Sequence, residues 1–194
     1  PPFVGAKFMS DAQREDARLA FNGIDNAGLL DFVAAWYVKA TQYLQPVVPR
    51  AGVEPARPRC AFVSTNSITQ GEQVGVLWGW LLAQGVHIHF AHRTFSWSNE
   101  AKGKAAVHCV IVGFGLDERP DKTLYEYEDI KGEPLAVPAK NINPYLVDAP
   151  DVVLPRRSKP ICAVPEIGIG NKPIDDGNYL FTTEERDAFI AKEP

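Results

Sequence analysis

Between Ala27 and Pro46 the chain reads AGLLDFVAAWYVKATQYLQP, and its apolar positions recur at helical spacing. Leu29, Phe32, Val33, Trp36 and Ala40 fall on one face, and Pro46 predicts the stop. Upstream, SDAQREDARLAF opens on Ser10 with Gln13 three positions later, a capping-box signature for a helix ending near Asn22-Gly23. GEQVGVLWGWLLAQG predicts another helix, closed by Gly85. CAFVSTNSI is an apolar run that turns polar, the pattern of a buried strand leading into a turn. VHIHFAH and AAVHCVIVGFG are two further β-rich runs, joined by the loop RTFSWSNEAKGK. VVPRAGVEPARPR is a proline-rich surface connection.

Up to about Leu116 the order is therefore helix, helix, strand, helix, strand, strand. That order predicts an α/β fold: half of a sheet ending in an antiparallel β-hairpin. Beyond it the texture changes. Prolines at 120, 134, 138, 144, 150, 155, 160, 165 and 173 cut the chain into short extended pieces, before a final capped helix in TTEERDAFIAKEP. A boundary is expected near residue 118, giving an α/β segment 1–118 and a proline-rich, irregular and β segment 119–194.

The composition is that of a soluble globular chain, with 45% hydrophobic and 23% charged residues among 194. A formal charge of −4 gives no global basic field, so any nucleic-acid contact must be local. Cys60, Cys109 and Cys162 are odd in number and widely spaced, unlike a disulfide framework or a zinc knuckle, and point to a reducing cytoplasm. No apolar run approaches the roughly 18 residues of a membrane span. The chain begins Pro1-Pro2-Phe3 without a start methionine, and it is expected to be a piece of a longer protein.

Two successive prolines fix two φ angles and remove two backbone donors, leaving stiff carbonyls followed at once by a ring. Such a corner suits a flat, hydrogen-bonding ligand; the plain alternative is a proline turn with a buried phenylalanine. PPF resembles the tail of the Asn/Asp-Pro-Pro-Phe/Tyr motif of class I amino-methyltransferases acting on adenine. LLDFVAAWYVKA, AFVSTNSITQGEQVGVLW, FAHRTFSWSNEAKGKAAVHCVIVGF, NINPYLVDAPDVVLPRRSKPIC and GNKPIDDGNYLFTTEERDAFIAKEP follow in order. Together they resemble the large single-chain restriction–modification and phage-defence DNA adenine methyltransferases, along nearly the whole length. In that family a nuclease, a methyltransferase and a target-recognition region can share one polypeptide.

The resemblance implies the second half of a Rossmann-like methyltransferase sheet, then the start of a target-recognition region that meets double-stranded DNA. An exocyclic adenine amine is a poor nucleophile because its lone pair is delocalised into the ring. Two acceptors holding its hydrogens aim that lone pair at a methyl donor. By resemblance those acceptors are the Asn or Asp side chain before Pro1 and the Pro1 carbonyl; Pro2 stiffens the turn, and Phe3 stacks on a flipped base. The glycine motif that holds S-adenosylmethionine is expected upstream of Pro1, so this piece alone is expected to be inactive and to bind no cofactor.

Similar methyltransferases close the other side of the base with an aromatic from the hairpin loop, which makes Phe95 the first candidate and Trp97 the second; both could equally be staple residues. Ser64, Asn66 and Gln70, at the carboxyl end of the first strand, could line the ligand crevice of an open α/β sheet. Capping by Ser67 or Thr69 is the alternative there. Arg156, Arg157 and Lys159 in PRRSK are candidate phosphate contacts or simply a solvated face, as are Lys102 and Lys104.

Several motifs mislead. Gly113-x-Gly115 followed by Glu126 and Glu128 imitates a cofactor strand, but Asp117 to Pro120 open a turn where a helix is required. Pro120-Asp121 with Asp129-x-Lys131 faintly echoes a nuclease site, yet the interval is short. His87 and His89 share a strand face without a third ligand and are expected on the solvent side, as no metal site is expected. EIGIGNKP lacks the ending of a phosphate loop. A rival function is a non-catalytic DNA-binding or scaffold module; a second rival keeps the chemistry but acts on a protein glutamine or on RNA.

Overall fold

Ser10 caps the first helix, α1 (Asp11–Ala20), with both halves of the box formed. Its hydroxyl accepts from the Gln13 N–H at 3.3 Å, and the Gln13 amide oxygen accepts from the Ser10 N–H at 2.9 Å. The structure, a computed structural model, describes residues 1–45, 58–97, 107–157, 159–164 and 180–192. They fall into two compact units, Pro1–Arg156 and Arg157–Pro194.

In the first unit the second helix, α2, spans Ala34–Leu44 and starts later than its apolar spacing suggests. A single 3-10 turn, Ala27–Leu29, precedes it, entered through Asn26 at φ 59°. The chain cannot run as helix through Asp31, because the Asp31 carboxylate and N–H are engaged by other segments. Helix α3 (Gly71–Ala83) ends as expected before Gly85, whose φ of 80° suits the left-handed turn there.

Five strands form one sheet in the order β1-β3-β2-β4-β5: β1 Arg59–Thr65, β2 His87–Trp97, β3 Val107–Gly115, β4 Lys122–Glu126 and β5 Leu135–Ala139. β1 and β2 each pair antiparallel with β3 and so run parallel to each other, and β4 runs parallel to β2. The β2–β3 hairpin expected at the end of the sheet thus lies inside it. β2 also continues through Arg93–Trp97, the stretch expected as loop, because β3 supplies partners for Phe95, Ser96 and Trp97 after a register shift.

The compact unit passes residue 118 because β4 and β5 extend the same sheet. Pro138 is tolerated in β5 since that strand is an edge. Lys122 of β4 is buried; its Nζ donates to Asn141 Oδ1 at 2.8 Å and lies 2.7 Å from Glu118 Oε1. Asn141 in turn donates to the Ala149 carbonyl at 2.8 Å. The chain then crosses α3, where a Cβ on Gly75 would lie 3.0 Å from the Leu154 carbonyl oxygen.

The helices cover one sheet face. Tyr37 of α2 is its centre, in ring contact with Phe62, Trp78 and Phe114 and sharing a 2.8 Å hydrogen bond with Ser64. Burial pushes its phenol far above the ordinary tyrosine range. On the other face lie half-buried Phe90, His92, Phe95, Tyr125 and Tyr127, with His92 stacked on Tyr125 at 4.1 Å. In the second unit, α4 (Thr183–Ile190) carries a complete capping box from Thr182 and Glu185.

Candidate functional site

Parallel strands collect ligand sites at their carboxyl ends. Thr65 pairs with Cys109, and Cys109 pairs with Phe95, so the end of β1 and the aromatic end of β2 stand in one row. Two strand spacings separate them, about 10 Å.

The amino-terminal turn is brought to the same end of β1 by Asp31. One carboxylate oxygen accepts the Ala6 N–H at 2.9 Å; the other accepts the Ser67 hydroxyl at 2.7 Å. Ser67 shares a further 2.8 Å hydrogen bond with Thr65, and the Gln73 side-chain oxygen accepts the Asp31 N–H at 3.1 Å. Next to Phe3, the Val4 carbonyl accepts the Phe32 N–H at 2.9 Å. Pro1 and Pro2 are exposed, and Phe3 is 39% exposed. Its ring is partly open among the described residues.

Of the three wall candidates, Asn66 and Gln70 line an open hollow of about 520 Å³ with Leu29, Gly71 and Glu72. Ser64 does not. It is fully buried, and Tyr37 takes its hydroxyl, so it holds the helix layer to the sheet. Thr69 back-bonds to the Asn66 carbonyl at 2.9 Å and thus shapes the turn.

Phe95 and Trp97 sit on a strand end and not on a loop. One face of Phe95 is stacked on Tyr127 at 5.4 Å, and Trp97 lies 6.2 Å away at 42% exposure. Trp97 is the more open ring. Lys102 and Lys104 lie outside the described residues.

Arg156 is paired with Glu72, Nε to Oε1 at 3.2 Å, at the first turn of α3. Arg157 and Lys159 belong to the second unit, where both are exposed. Gly113 and Gly115 form no cofactor cradle. A Cβ on Gly113 would lie 2.0 Å from a Phe90 ring carbon, and one on Gly115 would lie 2.7 Å from His89 Cε1, so neighbours fill both spaces. Neither glycine leaves room for the methyl donor.

His89 is buried, contrary to the solvent-side expectation, and its Nε2 meets the Asp117 carbonyl at 2.7 Å. His87 instead pairs with Glu118. Among the described residues no three metal-ligating side chains converge. Cys60, Cys109 and Cys162 are free thiols, and burial pushes those of Cys60 and Cys109 up. No helix among the described residues is long and apolar enough to cross a membrane.

A family model for the MmeI DNA-methyltransferase domain matches residues 1–126. The chain belongs to the MmeI DNA-methyltransferase family. A second family model, the MmeI target recognition domain, matches residues 148–194. The chain is 38% identical to DNA methyltransferase A of Bacillus subtilis (strain 168) over 195 aligned residues, covering all of this chain and 20% of that protein. It is 56% identical to the type IIL restriction-modification enzyme MmeI, solved in complex with DNA, with a TM-score of 0.81. That match covers all of this chain and 25% of the solved one. The chain thus spans about a fifth to a quarter of the relatives it matches. The MmeI likeness also gives the five-stranded sheet its place as part of a Rossmann-like methyltransferase fold.

Proposed function

We propose that this chain supplies the base-gripping wall of a DNA adenine N6-methyltransferase in a restriction–modification or phage-defence system. The observation that carries the reading is the Asp31 clamp, which holds the segment after Pro1-Pro2-Phe3 against the turn at the carboxyl end of β1. It supports one open site in a chain of the MmeI methyltransferase family.

In this reading the Pro1 carbonyl accepts one hydrogen of the adenine amine, and Phe3 stacks on the extruded base. A second acceptor, the Asn or Asp of the family motif, comes from outside this chain. Asn66 and Gln70 offer polar contacts along the wall, and Trp97 with Phe95 closes the aromatic side. S-adenosylmethionine is bound by other parts of the longer protein and supplies the methyl group. The part that the methyltransferase model matches, residues 1–126, serves methyl transfer. Residues 148–194 lead into target recognition, with Arg157 and Lys159 as phosphate contacts on double-stranded DNA. A nuclease on the same longer polypeptide fits the restriction–modification setting, and the protein works in the cytoplasm.

The test is product analysis. The longer protein, incubated with DNA and labelled S-adenosylmethionine, is expected to yield N6-methyladenine. Phe3→Ala should lower that yield by about 10²-fold at saturating DNA, the cost of losing positioning at the reacting centre. Methylcytosine, or label on protein or RNA but not on DNA, would overturn the assignment.

A further inference from the structure

Immediately after the candidate turn the chain makes one 3-10 turn, Ala6–Phe8, that ends in a ring standing in solvent. Phe8 is 84% exposed, more than any other large hydrophobic residue among those described. Leaving a phenylalanine in water forgoes roughly 2 kcal/mol of burial.

The turn beneath it is firmly held. The Phe8 N–H donates to the Gly5 carbonyl at 2.8 Å, the Ala6 N–H is fixed by Asp31, and the Val4 carbonyl is fixed by Phe32. Gly5 lets the Phe8 ring lean on the backbone, since a Cβ there would meet Phe8 Cδ2 at 3.4 Å. Two cations lie close by in the chain. Lys7 is exposed, and Arg14 of α1 reaches back to donate to the Lys7 carbonyl at 3.3 Å. Arg14 also borders a hollow of about 510 Å³ whose walls include Ala6 and Met9, as does Arg18, whose guanidinium is paired with Glu15.

A rigid apolar tip with cations close by matches the chemistry of a stacked duplex, apolar between base pairs and anionic at its phosphates. We propose that Phe8 is a DNA wedge: it enters the base stack beside the target and stabilises the opened duplex while the target base is extruded. Lys7 and Arg14 hold the neighbouring phosphates. The proposal rests on the DNA-methylating function proposed above and adds to it the device that opens the helix. Phe3 and Phe8 divide the work. Phe3 receives the base, and Phe8 acts on the stack the base has left.

The experiment uses the longer protein and two duplexes, one fully paired and one with an abasic site opposite the target. The second duplex has already lost the pairing energy that a wedge would help to overcome. Phe8→Ala is expected to lower kcat/KM about tenfold on paired DNA and only two- to threefold on the abasic-opposed duplex, as unstacking costs of a few kcal/mol imply. Phe8→Trp is expected to restore most of the loss. With 2-aminopurine at the target position, the alanine variant should show a smaller fluorescence rise on paired DNA.

Equal losses on both duplexes, or no loss on either, would overturn the proposal. So would a melting temperature several degrees below the parent's, which would show that Phe8 is covered by another part of the longer protein. These results are distinct from failure of the functional reading, in which the unsubstituted protein would not methylate either duplex.

Discussion

Asp31 and Ser67 are hydrogen-bonded at 2.7 Å across 36 positions of sequence, and this bond joins the amino-terminal segment to the turn that ends β1. The same carboxylate holds the Ala6 N–H. Asp31→Ala would strip a half-buried donor pair of its acceptor, at about 2–3 kcal/mol for bonds to a charged group. Asp31→Asn keeps an acceptor and should recover part of that loss. Urea unfolding of the chain reads both values. An Asp31→Ala variant as stable as the parent would show that the clamp does not hold the site.

Gly113 is the one position in β3 where the Phe90 ring lies directly on the backbone, with 2.0 Å to a virtual Cβ. Gly113→Ala must expel that ring from its place, and overpacking of this kind costs about 1–3 kcal/mol. Combining it with Phe90→Leu should cost less than the two single changes added together, because the second removes what the first displaces. A double-mutant cycle by chemical denaturation measures the coupling. Strict additivity would contradict the contact.

Lys122 is the buried anchor of the segment beyond the sheet. Lys122→Met fills the same space but leaves Asn141 Oδ1 without its donor, and a loss of about 1–3 kcal/mol is expected. Glu118, half open to water, resolvates at little cost. Hydrogen exchange should show the effect concentrated in residues 140–151. Uniform deprotection of the sheet instead would place the role of Lys122 elsewhere.

Burial holds the imidazoles of His89 and His92 below the ordinary histidine range, with Asp117 partly opposing this at His89. The unfolded chain takes up protons near pH 6.5 that the native chain refuses. Stability should therefore fall as pH drops through about 6.5, and stop falling on this account below the folded pKa values. Denaturation midpoints across pH 5 to 8 test this, and His92→Phe should flatten the curve. A midpoint that rises on acidification through that window would refute the assignment.

Local signals in the sequence carried much of the fold. The Ser10 box, the Gly85 stop and the apolar run before Ser64 each act over a few residues and are visible in them. The strand status of Phe95 and Trp97 was not, because it depends on how far β3 reaches alongside. β4 and β5 were hidden for the same reason: KTLYE becomes a strand only by lying beside β2. At the candidate site the Pro1-Pro2-Phe3 corner and the polar turn after β1 were legible as separate motifs. Asp31, which joins them, was not. It sits inside an apolar run, and its partners are remote in sequence. Ser64 misled because a hydroxyl after a strand looks the same whether it faces a crevice or a tyrosine. Phe8 passed unnoticed, since exposure is a property of the folded chain.

Gly75 allows the Leu154 carbonyl to rest 3.0 Å from where a side chain would begin, and residues 148–156, though matched by the target recognition model, lie within the first unit. An exchange of the segment that the target recognition model matches is therefore expected to disturb the first unit least when the join lies beyond Arg156. A graft made upstream, at residue 148, would put foreign atoms on the bare backbone of α3. One made beyond Arg156 would leave the parent's own residues 148–156 in the first unit, with Leu154 against Gly75.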